Sequence, residues 1–264
     1  MRATMPRMKT VGILGGMGPA ATVLLMQKII AATPALDDGD HVPLLVDQNT
    51  QVPSRLRHLL DRTGDDPGPV LAAMAARLHA AGAQALAMPC NTAHHYGPAI
   101  RAATSVPFLD MVAMSVAHAA GLVGHGGIIG ILASPAVRRV GLFDAAFAGS
   151  GITPIYATDE DATLAAIVGL KAKGAHDDAR TVMQGASADL LALGAAVQMI
   201  ACTEFSLIPT AVAKGALAFD TLDLLVQAII AFATTSGTGH QKATQNSPSL
   251  PRMRPFHHQQ GEQI

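Results

Sequence analysis

The chain alternates short runs of consecutive apolar residues with longer segments in which apolar residues recur at helical spacing. Runs such as VGIL at 11–14 and VPLLV at 42–46 show no in/out alternation, so each predicts a short strand buried on both faces. Strands are predicted at 11–14, 42–46, 85–88, 106–110, 126–132, 152–157, 197–201 and 218–220, and helices at 20–32, 69–81, 111–122, 137–147, 163–171, 177–193 and 222–233. Repeated β-α units of this kind predict an α/β fold whose parallel sheets are covered by helices.

The order of elements repeats once along the chain. VGILGGMGPAATVLL, which contains Ile13, aligns loosely with IIGILASPAVRRVGL, which contains Ile131, and the phrases around Cys90 and Cys202 are separated by a similar offset. The offset is far too long for a solenoid repeat. It predicts two similar α/β lobes, each with a central parallel sheet, related by a pseudo-twofold axis.

Domain boundaries follow from this repeat. We expect the first lobe at residues 8–118 together with 218–234, a segment that includes the closing helix, and the second lobe at 119–217. Residues 235–264 are rich in Gln, His, Ser and Pro and have little apolar periodicity, so they predict a disordered tail.

The only two cysteines of the chain sit in near-matching phrases, AQALAMPCNTAHH around Cys90 and AVQMIACTEFSLI around Cys202. Each phrase is a strand-type run that ends in Cys and small polar residues, which places a thiol at the edge where α/β folds build their sites. Two such thiols facing one substrate would suit the transfer of a proton between the two faces of a carbon. The alternatives are two buried cysteines that serve as small core residues, or a disulfide between them.

The composition argues against a nucleic-acid-binding, membrane-spanning, disulfide-rich or metal-binding protein. The chain of 264 residues is 50% hydrophobic and 14% charged, with a formal net charge of -1, so it lacks the basic excess of a nucleic-acid surface. Every apolar run is interrupted by glycine, proline or a charged residue before it reaches the length of a membrane-spanning helix. Two cysteines make no disulfide framework and indicate a reducing, cytoplasmic location, and no Cys/His spacing resembles a metal-ligand set.

The N-terminal region has two readings. Basic residues at 2, 7 and 9 precede an apolar stretch and resemble a secretory signal, but glycines and Pro19 interrupt that stretch. A strand, a Gly-rich turn and a helix start are therefore the favoured interpretation of VGILGGMGPAAT.

Five phrases together resemble the aspartate/glutamate racemase family, and more narrowly its cofactor-independent aspartate racemase branch. They are GGMGPAAT, NTQVPSR, MPCNTAH, LKAKG and ACTE, in this order, and the resemblance covers roughly 8–233. It implies two α/β lobes with the active site between them, a small-molecule amino-acid substrate, no pyridoxal phosphate, no metal and a homodimer.

The resemblance also implies roles for individual residues. Cys90 and Cys202 would be the two acid/base residues, and Arg55 and Lys171 would contact a carboxylate of the substrate. Substrate contacts are further expected from Met17, Asn49, Asn91, Thr92, Ala93, Ser134, Thr203 and Glu204, with Asn91, Thr92 and Ala93 at the α-carboxylate. Ser54 replaces the usual Asp before Arg55, so the side-chain preference stays open between aspartate, glutamate and neutral amino acids.

Proton transfer at Cα without a cofactor places chemical requirements on the residues around the substrate. Without a cofactor as electron sink, the carbanion must be stabilised by hydrogen-bond donors already placed around the carboxylate, and Asn91, Thr92 and Thr203 are candidates. A free thiol has a pKa of about 8.5, and donors at helix N-termini would lower it enough for a useful thiolate fraction. His94 either tunes Cys90 or plays a structural role, and Glu204 either polarises the cleft or caps a helix.

Other functions remain open at this point. GILGGMGPAAT followed by Asp47 loosely resembles a dinucleotide fold, but Ala21 breaks the G-x-G-x-x-G spacing and both cysteine phrases stay unexplained. A hydantoin racemase, a maleate-type isomerase or a malonate decarboxylase would share the two-lobe scaffold. The decarboxylases need only one thiol, so two intact cysteine phrases favour a two-base proton transfer.

Overall fold

The computed structural model of the chain describes residues 8–235, and nearly all of the predicted tail lies outside this range. Its strands form two four-stranded sheets in which all neighbours pair in parallel. The first sheet has the order β2-β1-β3-β4, with β1 Val11–Gly15, β2 Leu44–Gln48, β3 Ala85–Ala87 and β4 Phe108–Leu109. The second has the order β6-β5-β7-β8, with β5 Ile128–Leu132, β6 Thr153–Tyr156, β7 Val197–Ile200 and β8 Leu217–Asp220. The predicted α/β class is confirmed, and the two sheets share one strand order.

Helices cover both sheets. They are α1 Pro19–Ala32, α2 Gly68–Ala80, α3 Gly97–Ala102, α4 Met111–Val123, α5 Pro135–Arg139, α6 Leu142–Phe147, α7 Glu160–Lys173, α8 Asp177–Ala192 and α9 Thr221–Thr234. The predicted single helix at 137–147 is wrong, because Gly141 adopts φ 61 and separates α5 from α6. Within residues 8–235, no helix is both long and apolar enough to cross a membrane.

Each sheet is packed on both faces. β1 and β3 are buried along their whole length, which explains their unalternating apolar sequence. In the first lobe, Leu86 packs with the core of one face and Ile13 with the core of the other. In the second lobe, Leu132 and Ile131 divide between the two faces in the same way. Burial of each such side chain contributes about 1.5–3 kcal/mol, so both lobes carry substantial cores.

The chain crosses between the lobes twice. After β4, helix α4 places Val112 and Ala119 in the core of the second lobe. β8 pairs with β7, so residues 218–220 complete the second sheet and the prediction that placed them in the first lobe is wrong. After β8, helix α9 returns to the first lobe, where Leu225 and Ile229 pack with Ile13.

Candidate active site

Both cysteines lie in one cleft between the lobes. Cys90 follows β3 and Cys202 follows β7, and these strands occupy equivalent places in the two sheets. The first lobe lines the cleft with Met17, Ser54, Arg55, Leu56, Cys90 and Thr92, and the second lobe with Ser134, Ile167, Lys171, Cys202 and Glu204. Both cysteines are free and buried. Among residues 8–235, no group of three or more His, Cys, Asp or Glu could hold a metal ion.

The Gly-rich turn after β1 brings Met17 to the cleft. Gly16 has φ 92, and a Cβ at this position would lie 2.4 Å from the backbone carbonyl of Asn49. Only glycine fits such a close approach in this conformation. The backbone of Asn49 thus lies against the turn, and its side chain accepts from the Gln51 amide at 2.9 Å instead of lining the cleft.

Cys90 is 8% exposed, and burial raises its pKa above the ordinary thiol value. The positive charges of Arg55 and Lys171 and a backbone contact with Ala93 act in the opposite direction. The sequence led us to expect that helix-terminal donors would lower the thiol pKa. In the structure, the effect of desolvation on the Cys90 pKa outweighs that of these positive charges and of the backbone contact.

Cys202 differs from Cys90 because a carboxylate holds its proton. Its Sγ donates a hydrogen bond to Glu204 Oε2 at 3.2 Å. Burial raises the pKa of Cys202 well above its usual value, and the charge of Glu204 and this hydrogen bond raise it further. The charge with the largest effect on the Cys90 pKa is the Arg55 cation, whereas for the Cys202 pKa it is the Glu204 anion, so the pKa of Cys202 is raised further than that of Cys90.

Two predicted cationic anchors, Arg55 and Lys171, line the cleft from different lobes. Arg55 Nη1 donates to the backbone carbonyls of Val52 at 3.4 Å and Pro53 at 3.0 Å, which fixes the guanidinium beside Cys90. Lys171 Nζ lies 3.5 Å from Glu204 Oε1, so its charge is offset by an acid. Glu204 Oε1 is buried and accepts no hydrogen bond from the described residues.

Across the cleft, the Thr92 and Ser134 hydroxyls lie 3.2 Å apart and join the two lobes. Asn91, Ala93 and Thr203 were also predicted to contact substrate, but their side chains do not line the cleft. The Asn91 amide donates to Thr221 Oγ1 at 3.0 Å, and Thr203 Oγ1 donates to the carbonyl of Pro89 at 3.1 Å. These side chains brace the two cysteine segments.

His94 has a structural role. Its Nε2 accepts from the Met111 amide at 3.2 Å, so Nδ1 carries the proton and donates to the Cys90 carbonyl at 2.9 Å. Burial lowers the pKa of His94, which keeps the ring neutral. The imidazole therefore holds the backbone of Cys90, and both of its ring nitrogens are engaged with backbone groups.

Sequence reasoning missed Leu56 and Ile167 as cleft residues. Ile167 lies one helical turn before Lys171 on α7, so the two share a face. This spacing was the available signal. Leu56 directly follows Arg55, in a segment that no periodic pattern assigned to an element.

The chain is similar to several known racemases. The family model for Asp/Glu/hydantoin racemases matches residues 14–229. A broad specificity amino-acid racemase, RacX of Bacillus subtilis, is 32% identical over 106 residues, which cover 39% of this chain and 45% of that protein. The chain thus matches less than half the length of this curated relative.

Solved structures share the fold. An aspartate racemase from Picrophilus torridus has a TM-score of 0.72 at 23% identity, over 85% of this chain and 94% of its own. A glutamate racemase from Francisella tularensis in complex with D-glutamate has a TM-score of 0.59 at 14% identity, over 84% of this chain and 80% of its own. Identities this low bear on the fold alone. The family match, in contrast, spans both lobes and both cysteine segments, and the chain therefore belongs to the Asp/Glu/hydantoin racemase family.

Proposed function

We propose that the protein racemises an acidic amino acid, aspartate or glutamate, without a cofactor: one of Cys90 and Cys202 removes the α-proton from one face, and the other delivers its own proton to the opposite face. Family membership supports the coarser statement, an amino-acid racemase and thus an isomerase. The observation that carries the finer proposal is the pair of free thiols, one from each lobe, in a single cleft.

The two thiols differ in a way that assigns their starting roles. Cys90, beside Arg55, is the thiolate that takes the α-proton from one face of the substrate carbon. Cys202 gives its own proton to the opposite face, and its hydrogen bond to Glu204 Oε2 keeps it protonated until then. After one turnover, Cys90 carries the proton and Cys202 is the thiolate. The reverse reaction, or a proton exchange through solvent, restores the starting state.

The polar groups of the cleft match the charges of an acidic amino acid. The α-ammonium would bind Glu204 Oε1, which is buried and accepts no hydrogen bond from the described residues, and which forms an ion pair with Lys171 Nζ at 3.5 Å. The side-chain carboxylate would bind Arg55, whose planar guanidinium can hold it bidentately. The α-carboxylate would face the Thr92 and Ser134 hydroxyls, together with the backbone amides that open the turn Thr92–Tyr96. First-turn amides have no partner within the helix, so they can stabilise the developing negative charge.

A racemase of neutral amino acids is the second candidate. It is favoured by the ion pair between Lys171 and Glu204, because that pair leaves Arg55 as a single cation to bind the α-carboxylate. The printed name of the Bacillus subtilis relative, a broad specificity amino-acid racemase, points the same way.

The test uses purified protein with no added cofactor. Each enantiomer of aspartate, glutamate, alanine, methionine and homoserine is incubated in heavy water, and chirality and α-deuteration are followed. We expect acidic substrates to react fastest, and we expect Arg55→Met to raise KM for them about 10- to 100-fold, the effect of losing a charged hydrogen bond. The exposed neighbour Arg57 provides the matched control, Arg57→Met.

The outcomes separate the two candidates. Faster reaction of alanine, methionine or homoserine than of aspartate and glutamate would replace the acidic substrate by a neutral one. Absence of racemisation with every substrate would refute the proposed activity. The homodimer and the cytoplasmic location expected from the sequence are also proposals, and light scattering of the purified protein checks the first.

A further inference from the structure

The junction between β8 and α9 is buried and contacts both cysteine segments. Asp220 ends β8 in the second sheet, and Thr221 begins α9, which packs in the core of the first lobe. Asp220 is 5% exposed and Thr221 is 0% exposed. These two residues therefore occupy the point where the chain returns from one lobe to the other.

The Thr221 hydroxyl contacts both cysteine segments. It donates to the carbonyl of Ile200 at 3.0 Å, two residues before Cys202. It also accepts from the side-chain amide of Asn91 at 3.0 Å, and Asn91 directly follows Cys90. One buried hydroxyl thus joins the two strand ends that carry the thiols, and it uses both its donor and an acceptor position to do so.

Asp220 holds the turn that follows Cys202. Its Oδ1 accepts from the Ser206 hydroxyl at 2.9 Å and from the Leu222 amide at 2.8 Å. The backbone amides of Phe205 and Ser206 in turn donate to the carbonyl of Cys202 at 2.9 and 3.3 Å. The Cys202 segment is therefore fixed to the same junction from which Thr221 reaches the Cys90 segment.

We propose that Asp220 and Thr221 are positioning residues that set the spacing of the two thiols across the cleft. This inference rests on the proposed two-thiol function. Inversion of the substrate needs both sulfurs close to opposite faces of one carbon, whereas exchange of the α-proton at one face needs a single sulfur. Reacting atoms must lie about 3–3.5 Å apart, so a looser junction impairs inversion more than exchange.

The test compares two rates in heavy water with one enantiomer as substrate. They are the rate of chirality inversion and the rate of α-deuteration of the recovered starting enantiomer. Thr221→Val removes the hydroxyl but keeps the shape of the side chain, and we expect it to lower the ratio of inversion to exchange about tenfold or more. Thr221→Ser restores the hydroxyl and should restore the ratio.

A matched control comes from α1. Thr33 is 7% exposed and its hydroxyl donates to the carbonyl of Ile29 at 2.6 Å, within its own helix. Thr33→Val removes the same group without touching the cysteine segments, so it lowers Tm but leaves the ratio unchanged. Ser206→Ala loosens the junction from the other side with a minimal truncation, and it decides the question if Thr221→Val does not fold.

The outcomes distinguish this inference from the proposed function. If the wild type inverts its substrate but Thr221→Val or, where that variant does not fold, Ser206→Ala keeps the wild-type ratio, the positioning role is refuted and the racemase stands. A loss of both rates in proportion refutes it as well, because that result indicates damage to the whole site. If the wild type inverts no amino acid, the proposed function fails and this inference falls with it.

Discussion

Glu204→Gln is the sharpest perturbation of the asymmetry between the two thiols. The Cys202 thiol donates to Glu204 Oε2 at 3.2 Å, and the carboxylate raises the pKa of Cys202 by its charge and by this hydrogen bond. Glutamine keeps the size and an acceptor oxygen but removes the charge. We therefore expect more Cys202 thiolate at a given pH in the variant.

The magnitude follows from the contact that is changed. A hydrogen bond to a charged group is worth about 1.5–3 kcal/mol and one between neutral groups about 0.5–1.5 kcal/mol, so the loss of the charge changes the thiolate fraction below the pKa by about 5- to 13-fold. Less basic thiolates attack more slowly, with a Brønsted slope of about 0.4–0.5, so the net increase in the alkylation rate is about 2- to 5-fold. Lys171, which loses its partner at 3.5 Å, shifts Cys202 in the same direction.

The assay is alkylation by iodoacetamide, followed separately for the Cys90 and Cys202 peptides by mass spectrometry. In the wild type, Cys90 should react faster. In Glu204→Gln, the alkylation rate of Cys202 should increase more than that of Cys90, because burial and Arg55 affect the Cys90 pKa more strongly than Glu204 does. Glu160→Gln is the matched control, since Glu160 pairs with Arg138 at 3.1 Å in the same lobe. An unchanged Cys202 rate, or an equal increase in the control, would refute the reasoning.

Two further predictions concern stability. Gly16→Ala should lower the free energy of unfolding, measured in urea, by about 2 kcal/mol or more, because φ at Gly16 is 92 and the Asn49 carbonyl lies 2.4 Å from the new Cβ. Gly39→Ala is the control: its new Cβ meets no atom within 4 Å, so its free energy of unfolding should be nearly unchanged. For Asp220, burial and then the charge of Asp223 raise the pKa from 3.8 to about 7, although the hydrogen bonds from Leu222 and Ser206 and the charge of Lys28 lower it. The protonated form therefore favours folding at low pH, and that contribution is lost as the pH rises through 7. The free energy of unfolding of Asp220→Asn, relative to that of the wild type, should therefore increase by about 4 kcal/mol from pH 4 to pH 7 or above. A difference that stays constant across this range would show that Asp220 has an ordinary pKa.

Local sequence predicted most of the elements but not every pairing. Buried strands such as β1 and β3 are recognisable because both of their faces are apolar. β8 was predicted as a strand, yet its place in the second sheet was missed, because parallel partners are set by long crossovers and not by neighbouring residues. The break at Gly141 was also missed, since a glycine within an apolar periodic segment is compatible with one helix or two.

The candidate site was predictable in its residues and less so in their contacts. The repeated phrases pointed to Cys90 and Cys202, and the structure places both in one cleft. The direction of their pKa shifts depends on how deeply the tertiary structure buries the two thiols, which no local sequence pattern reveals. Asn91 meets Thr221 across 130 positions of sequence, so its bracing contact could not be read from the CNTAH phrase.

The most direct test of the two-thiol claim is the isotope content of product and substrate early in the reaction. Undeuterated L-aspartate is incubated with the wild type in heavy water, and the first-formed D-aspartate and the remaining L-aspartate are separated and analysed by mass spectrometry. The account predicts one deuterium at Cα in nearly all of the D-aspartate, because the second thiol supplies it from solvent, and almost none in the remaining L-aspartate. Substantial protium retained in the D-aspartate would show that one residue both removes and returns the proton, and would contradict the account.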